Sequence, residues 1–294
     1  MTRIRPAYQA GRFYPADPSE CRAFVGQDLG PIPELQGRLF GGVVPHAGWV
    51  FSGKVSLRLF KTLAKKGTVD RIVILGAVHV PGVKGPSVGD WDAWQTPLGN
   101  VPVDRVFERA LVEEAGAEVH PRAHEGEHSI EVQVPLLSQV FPGVPMVPVA
   151  VPPSLEALRF GEALGRLLQK DSKTSYLIAS SDLTHYGPDF YGFAPAGSGE
   201  KALEWAEKND DRFLRDLALL DARGLLKEAV QSQSACGPGA VAAATEAAKV
   251  LGAKEARVLE HTNSYLVESA AGGFGRPLGP ARNFVGYASA VFVG

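Results

Sequence analysis

The sequence predicts a single-domain α/β fold over residues 1–294, with a mostly parallel central sheet and helices on both faces. Three observations predict it. Short apolar, β-branched runs alternate along the chain with amphipathic helical stretches, the pattern of a parallel sheet covered on both sides. The clearest runs (39–44, 70–76 and 175–180) are apolar nearly throughout rather than alternating, as strands buried on both faces are. The 294 residues, 45% of them hydrophobic, supply a sizeable core, and no repeat or low-complexity linker divides them.

The elements follow in order. Residues 1–20 carry Tyr8, Phe13, Tyr14, Pro15 and Pro18, a mixture suited to an ordered surface arm. A short helix is expected over 19–29, with Cys21 on it as a small apolar residue. Leu39–Val44 is the first buried strand, and Pro45, which cannot donate to a ladder, ends it. Ser52 is expected to cap a helix to about Lys65, with Val55, Leu59, Phe60 and Leu63 on one face. The strand Asp70–Gly76 runs into Ala77-Val78-His79. After it comes a long connection rich in Gly, Pro and Trp (Trp91, Trp94), with a hairpin near 96–103. A connection of that length reads as a wall or lid over a site. Asp104 caps a helix to about Ala115, and Glu125–Glu131 leads into a helical stretch through Val140, kinked at Pro135. A strand at 144–151 and a helix to Gln169 capped by Ser154 come next, then the strand Ser175–Ser180. A helical pattern from Glu200 to Gln231 breaks near Asp221, and Pro238 opens an alanine-rich helix to Leu251. Two further strands follow at 256–262 and 284–293, the second suited to a sheet edge.

Composition narrows the function. A net charge of −2, from 30 basic and 32 acidic residues with no basic run, argues against nucleic acid or an anionic membrane surface as partner. No stretch approaches the ~20 apolar residues of a membrane span. Arg3 and Arg5 have no apolar segment behind them that would make a secretory signal. Cys21 and Cys236, far apart, form no disulfide framework. The expectation is a soluble cytoplasmic protein.

Three strands end in histidine: His46, His79 and His185. If those strands are parallel neighbours, the imidazoles converge beyond their carboxyl ends, where open α/β sheets bind ligands. Imidazole suits iron, copper and zinc. Asp182, three residues before His185, either orients that imidazole or merely caps the turn. Cys236 precedes Gly237-Pro238 at a helix start, where the dipole favours thiolate, the form that binds metals or attacks carbon. A buried inert thiol is the alternative. His128 shares a helical face with Glu131 and lies beside Glu127, which points to the pocket or to a surface charge cluster. His120, His124 and His261 lack such context and read as structural.

Several segments together resemble the Memo family, in order and spacing from Arg5 to Phe292. They are Pro45-His46-Ala47-Gly48 with Ser52-Gly53, Glu127-His128-Ser129-Ile130-Glu131, Ser180–Tyr186, Ala235-Cys236-Gly237 and Val285-Gly286-Tyr287-Ala288. The resemblance implies a fold like that of the class III extradiol dioxygenases, with a metal site at the strand ends. Prokaryotic members are called AmmeMemoRadiSam system protein B, which implies an AMMECR1-like protein and a radical SAM protein as partners. The human member of the family is tied to cell motility signalling, phosphotyrosine-peptide binding and copper or iron binding. By this resemblance His46, His79 and Cys236 match the metal ligands, and Asp182 and His185 the neighbouring site residues. Two departures stand out. The second histidine usually follows a Gly-Pro-Ser or Gly-Pro-Asn turn, here Gly76-Ala77-Val78, and Pro238 replaces a commonly basic residue. The extradiol dioxygenases hold iron with two histidines and a glutamate. A His-His-Cys set is softer, so the fold does not transfer the reaction.

Three functions compete. The first is a metal-dependent, dioxygenase-like oxidoreductase using iron or copper on a small aromatic substrate. In it His46, His79 and Cys236 hold the metal, His185 is acid or base, Asp182 orients it, and His128 completes the catalytic set. The second is a binding module for a peptide or partner, and the third a hydrolase using Cys236, His185 and Asp182.

Overall fold

Strand and helix alternate through the computed structural model, which describes residues 2–275 and 277–294. In chain order the elements are β1 (Ile4–Arg5), α1 (Pro18–Val25), β2 (Leu39–Val44), α2 (Trp49–Ala64), β3 (Arg71–Gly76), β4 (Ser87–Val88), β5 (Ala93–Thr96), β6 (Gly99–Pro102) and α3 (Arg105–Glu114). Then come β7 (Glu118–Val119), α4 (His128–Glu131), α5 (Val134–Val140), β8 (Met146–Ala150), α6 (Leu155–Lys170), β9 (Ser175–Ser180) and β10 (His185–Tyr186). The last are α7 (Glu200–Ala218), α8 (Ala222–Ser232), α9 (Pro238–Leu251), β11 (Glu255–Asn263), α10 (Ser264–Ala270) and β12 (Phe284–Val293).

The main sheet runs β10-β12-β2-β9-β3-β8-β4-β7, with β11 also paired to β12. It is mixed rather than mostly parallel. Its centre, β2-β9-β3-β8, is parallel, but β4 runs antiparallel to β8. On the other side β12 runs antiparallel to β2, β10 and β11. For the β11–β12 pair the connection allows this: α10 and the loop after it return the chain beside β11, and antiparallel partners need no crossover. Nor is β12 an edge strand. It lies inside the sheet, and all ten of its residues are buried.

Helices cover both faces. Val73, Leu75, Val147, Val149, Leu177 and Ala179 point to a core shared with α3, α6, α7, α8 and α9. Ile72, Ile74, Met146, Tyr176 and Ile178 point the other way, to a core shared with α2, α5 and the Trp-rich segment. Successive side chains thus leave each strand on opposite faces, and both faces are apolar.

Several boundaries differ from expectation. Helix α2 begins at Trp49 with Gly48 at its N-cap, and the Ser52 hydroxyl instead donates to Ala47 O at 3.0 Å. Ser154 stands at the N-cap of α6, but its side chain makes no cap bond. The N-terminal segment is not a surface arm, since Arg5, Gln9 and Tyr14 are buried. The Trp-rich connection forms no lid: Trp91 and Trp94 are buried and flank His124 at ring distances of 6.2 and 6.0 Å.

Candidate metal centre

Because β2, β9 and β3 are parallel and in register (Val44 opposite Ser180, Leu75 opposite Ala179), their carboxyl ends share one edge of the sheet. His46, Asp182 and His79 follow those ends by two or three residues. Cys236 arrives from the start of α9. A Cβ on Gly237 would lie 2.5 Å from Ser180 O, so only glycine lets the chain pass this close. His128 opens the one-turn helix α4. Gly76 admits that turn against the end of β3, because a Cβ there would lie 2.7 Å from Ser129 Oγ.

The result is a group of three imidazoles. One ring nitrogen from each of His46, His79 and His128 lies within 4.8 Å of the other two. The His79 and His128 rings stack at 4.6 Å, and His46 meets both edge-on at 5.3 and 5.2 Å. Hydrogen bonds fix which nitrogens are free. The Ser180 hydroxyl gives its one proton to Ser129 O (2.7 Å), so it accepts from His46 Nδ1 (3.1 Å). His46 Nε2 therefore carries a lone pair, facing Cys236 Sγ at 3.1 Å. His79 Nδ1 donates to Glu127 Oε1 (3.0 Å), which leaves its Nε2 free as well. Glu127, nearly fully buried, also accepts from the backbone N–H groups of His79 (2.8 Å) and Ser129 (2.9 Å) and lies 3.5 Å from His128 Nδ1. A buried carboxylate that orients ligating imidazoles in this way is a common companion of metal sites.

Electrostatics favour the neutral imidazole at His46 and His128. Burial pushes the His46 pKa down to about 3. Burial also lowers that of His128, with the neighbouring His79 acting in the same direction. At His79 burial works against the charge, but the hydrogen bond and negative charge of Glu127 prevail and raise its pKa. Burial also opposes the Glu127 carboxylate, yet its bond to His79 holds it ionised. Burial raises the Cys236 thiol, and the Asp182 charge raises it further, so without an ion the sulfur keeps its proton.

Asp182 and His185 stand on the open side. Asp182 Oδ1 accepts from His46 N at 2.6 Å, and Oδ2 lies 3.8 Å from His185 Nε2. Burial opposes the Asp182 charge, but the imidazoles of His46 and His185 hold its pKa at about 2. Asp182, His128 and His185 line a cavity of about 380 Å³ with Phe13, Phe51, Phe190, Tyr191 and Tyr287. Tyr191 stacks on His185 at 4.9 Å, and Phe13 packs tilted against His128 at 4.7 Å. Here are three imidazoles able to hold an ion, a thiol beside one of them, and an aromatic-walled cavity over a carboxylate–imidazole pair.

A family model described as Memo-like protein matches residues 5–290. The chain belongs to the Memo family. MEMO1 family proteins resemble it along their length. That of Methanopyrus kandleri is 35% identical over 297 residues, 96% of each chain. That of Pyrococcus furiosus is 34% identical over 280 residues, covering 90% of this chain and 94% of the relative. That of Thermococcus kodakarensis is 35% identical over 303 residues, covering 98% and 99%.

Within this Memo protein, sequence reasoning left some site residues unassigned. From sequence, Glu127 and Ser180 stand in segments that resemble the family, but neither is assigned a role at the site. The N-terminal segment was not connected with the site at all. Yet Glu131 accepts from Arg5 Nη1 (2.6 Å), Gln9 N (2.7 Å) and Tyr14 OH (2.8 Å), and Arg5 Nη2 donates to Glu127 O (2.9 Å). That network fixes α4 from behind. A buried-looking arginine among aromatics at the start of the chain was the available signal. The remaining histidines lie elsewhere: His124 Nε2 bonds Ser87 O, His120 caps a turn, and His261 pairs with Asp210.

Proposed function

We propose that this Memo protein binds one iron or copper ion through His46, His79 and His128, with the Cys236 sulfur as a further donor, and acts as a metal-dependent oxidoreductase on a small aromatic substrate. One observation carries the reading: three imidazoles converge, two with Nε2 lone pairs left free by hydrogen bonds to Ser180 and Glu127. Neutral imidazole and thiolate suit iron and copper alike. An ion bound there would supply electron transfer to dioxygen and polarise a coordinated oxygen. The protein's own groups do the rest. The aromatic walls take a ring face to face, and their bulk keeps water from it. His185 takes the proton of a substrate hydroxyl, and Asp182 stabilises the imidazolium so formed.

The Cys-His-Asp hydrolase reading is less well supported. The partner of the Cys236 sulfur is His46 rather than His185, and a thiol raised by burial is a poor nucleophile. The test is elemental analysis of protein purified without oxygen and dialysed, followed by oxygen uptake with catechols. About one equivalent of iron or copper is expected. Asp182→Asn should keep the ion and lose uptake by roughly 10–100-fold. Dialysed protein without metal would overturn the metal reading. Metal without oxygen uptake would overturn the enzyme and leave a binding module.

A further inference from the structure

Beside the cavity over the histidines lies a larger one. It is a groove of about 1120 Å³ between α1, the first turn of α2, and α10. We propose that the substrate of the metal-side cavity carries an apolar arm and that this arm lies in the groove. The proposal rests on the reading of that cavity as a substrate site.

Three observations point to it. First, the cavities adjoin, because Phe13, Gly48 and Phe51 line both. The seam between them is two partly exposed aromatic rings with a residue between that has no side chain. Phe13 at the seam packs against His128 at 4.7 Å, so an occupant of the groove ends against the ring-binding cavity. Second, the groove keeps large apolar side chains in the open: Val50 is 56% exposed, Leu266 48% and Phe274 43%. Phe274 stands edge-on to Phe51 of the seam at 5.6 Å, continuing the aromatic wall outward. Exposed apolar surface concentrated in one concavity marks a binding site rather than random scatter. Third, charges in its lining are few and of both signs: Arg12 and Lys54 beside Glu20 and Glu260, the last paired to Arg58 at 2.6 Å. The groove offers no strong field of one sign to a charged peptide or tail, whereas a neutral hydrocarbon arm needs none.

The sizes agree. A cavity of about 380 Å³ takes a single substituted ring, and the groove extends it well beyond what a bare catechol fills. A methylene fully removed from water is worth about fourfold in affinity, so even a half-covered arm gains substantially.

The test compares catechol with 4-octylcatechol, and follows a neutral apolar dye, N-phenyl-1-naphthylamine, by fluorescence. Wild-type protein should bind the dye and release it to octylcatechol, and should hold octylcatechol at least tenfold tighter than catechol. Ala270→Trp, at an exposed position lining the groove, should lose the dye and bring octylcatechol down to catechol's affinity, with an unchanged melting temperature. Failure of the wild type to bind the dye would overturn the inference, as would equal octylcatechol preference in the variant. So would a wild-type dimer in sedimentation that Ala270→Trp dissociates, since a second copy would then fill the groove. If the dye behaves as expected but neither catechol binds, the substrate reading of the metal-side cavity fails and the groove remains an apolar-ligand site.

Discussion

Glu127→Gln is the most searching single change to the centre. The side chain keeps its shape, so the fold should stand, but its hydrogen bonding cannot. The carboxylate takes three N–H donors between 2.8 and 3.0 Å: one at Oε2 (His79 N) and two at Oε1 (His79 Nδ1 and Ser129 N). An amide has one accepting oxygen. With that oxygen in the place of Oε1, the NH2 group opposes the His79 backbone N–H. With it in the place of Oε2, the NH2 opposes Ser129 N and forces the His79 ring to accept at Nδ1, which moves its proton to Nε2, the nitrogen meant for the ion. Either way a bond to a charged, buried acceptor is lost, worth roughly 1.5–3 kcal/mol. At a factor of ten per 1.4 kcal/mol this is roughly a 10–100-fold loss of metal affinity. Anaerobic titration with Fe(II) and with Cu(I) against a competing chelator, with melting temperatures recorded beside it, would measure it. Wild-type affinity in Glu127→Gln would refute the argument that Glu127 fixes the His79 tautomer.

Three further outcomes are expected. Cys236→Ser, nearly isosteric, should fold normally and lower metal content, since a hydroxyl is a poor ligand for soft metals; equal metal would remove the sulfur from the ligand set and leave the three histidines. Gly76→Ala should cost about 1–3 kcal/mol by overpacking against Ser129 and Ile130, and should weaken metal binding by displacing α4 and His128; an unchanged melting curve would contradict this. His261→Gln should destabilise the protein more at about pH 6 than at pH 9. Burial opposes the His261 charge, but Asp210 at 3.0 Å raises its pKa above the unfolded value of about 6.5. Its contribution is therefore full below that value and is lost as pH rises through the folded pKa. Urea unfolding at the two pH values would show it, and an equal or reversed difference would contradict the pairing.

The sequence made the strand ends legible because chemistry punctuates them. Pro45 must stop β2, and the apolar runs of β3 and β9 end abruptly at Gly76 and Ser180. Histidines placed at such stops are conspicuous. The place of His128 among the imidazoles was harder to see, because α4 is a single turn with no periodicity of its own. Its position depends on Gly76 yielding space and on Arg5, Gln9 and Tyr14 reaching Glu131 across more than a hundred residues. Strand order was equally hidden. The apolar composition of β12 says that it is buried, but nothing local says that it lies antiparallel beside β2. The start of α2 lies at Gly48, which has no capping side chain, whereas Ser52 nearby offers the more familiar signal.

The interior position of β12 also sets a timetable for assembly. Val43, near the end of β2, faces Ala290, and His185 itself pairs with Val285. Contacts that close so long a loop form late, both during synthesis and during refolding. A nascent chain that has not yet released its β12 segment already holds His46, His79, His128 and Cys236, but β2 is then an open strand edge and His185 has no ladder to fix it. Such an edge invites pairing with other chains. Capture of an ion is therefore expected to belong to the final stage of maturation, and the rate of metal uptake on refolding should follow the docking of the C-terminal strand rather than early collapse.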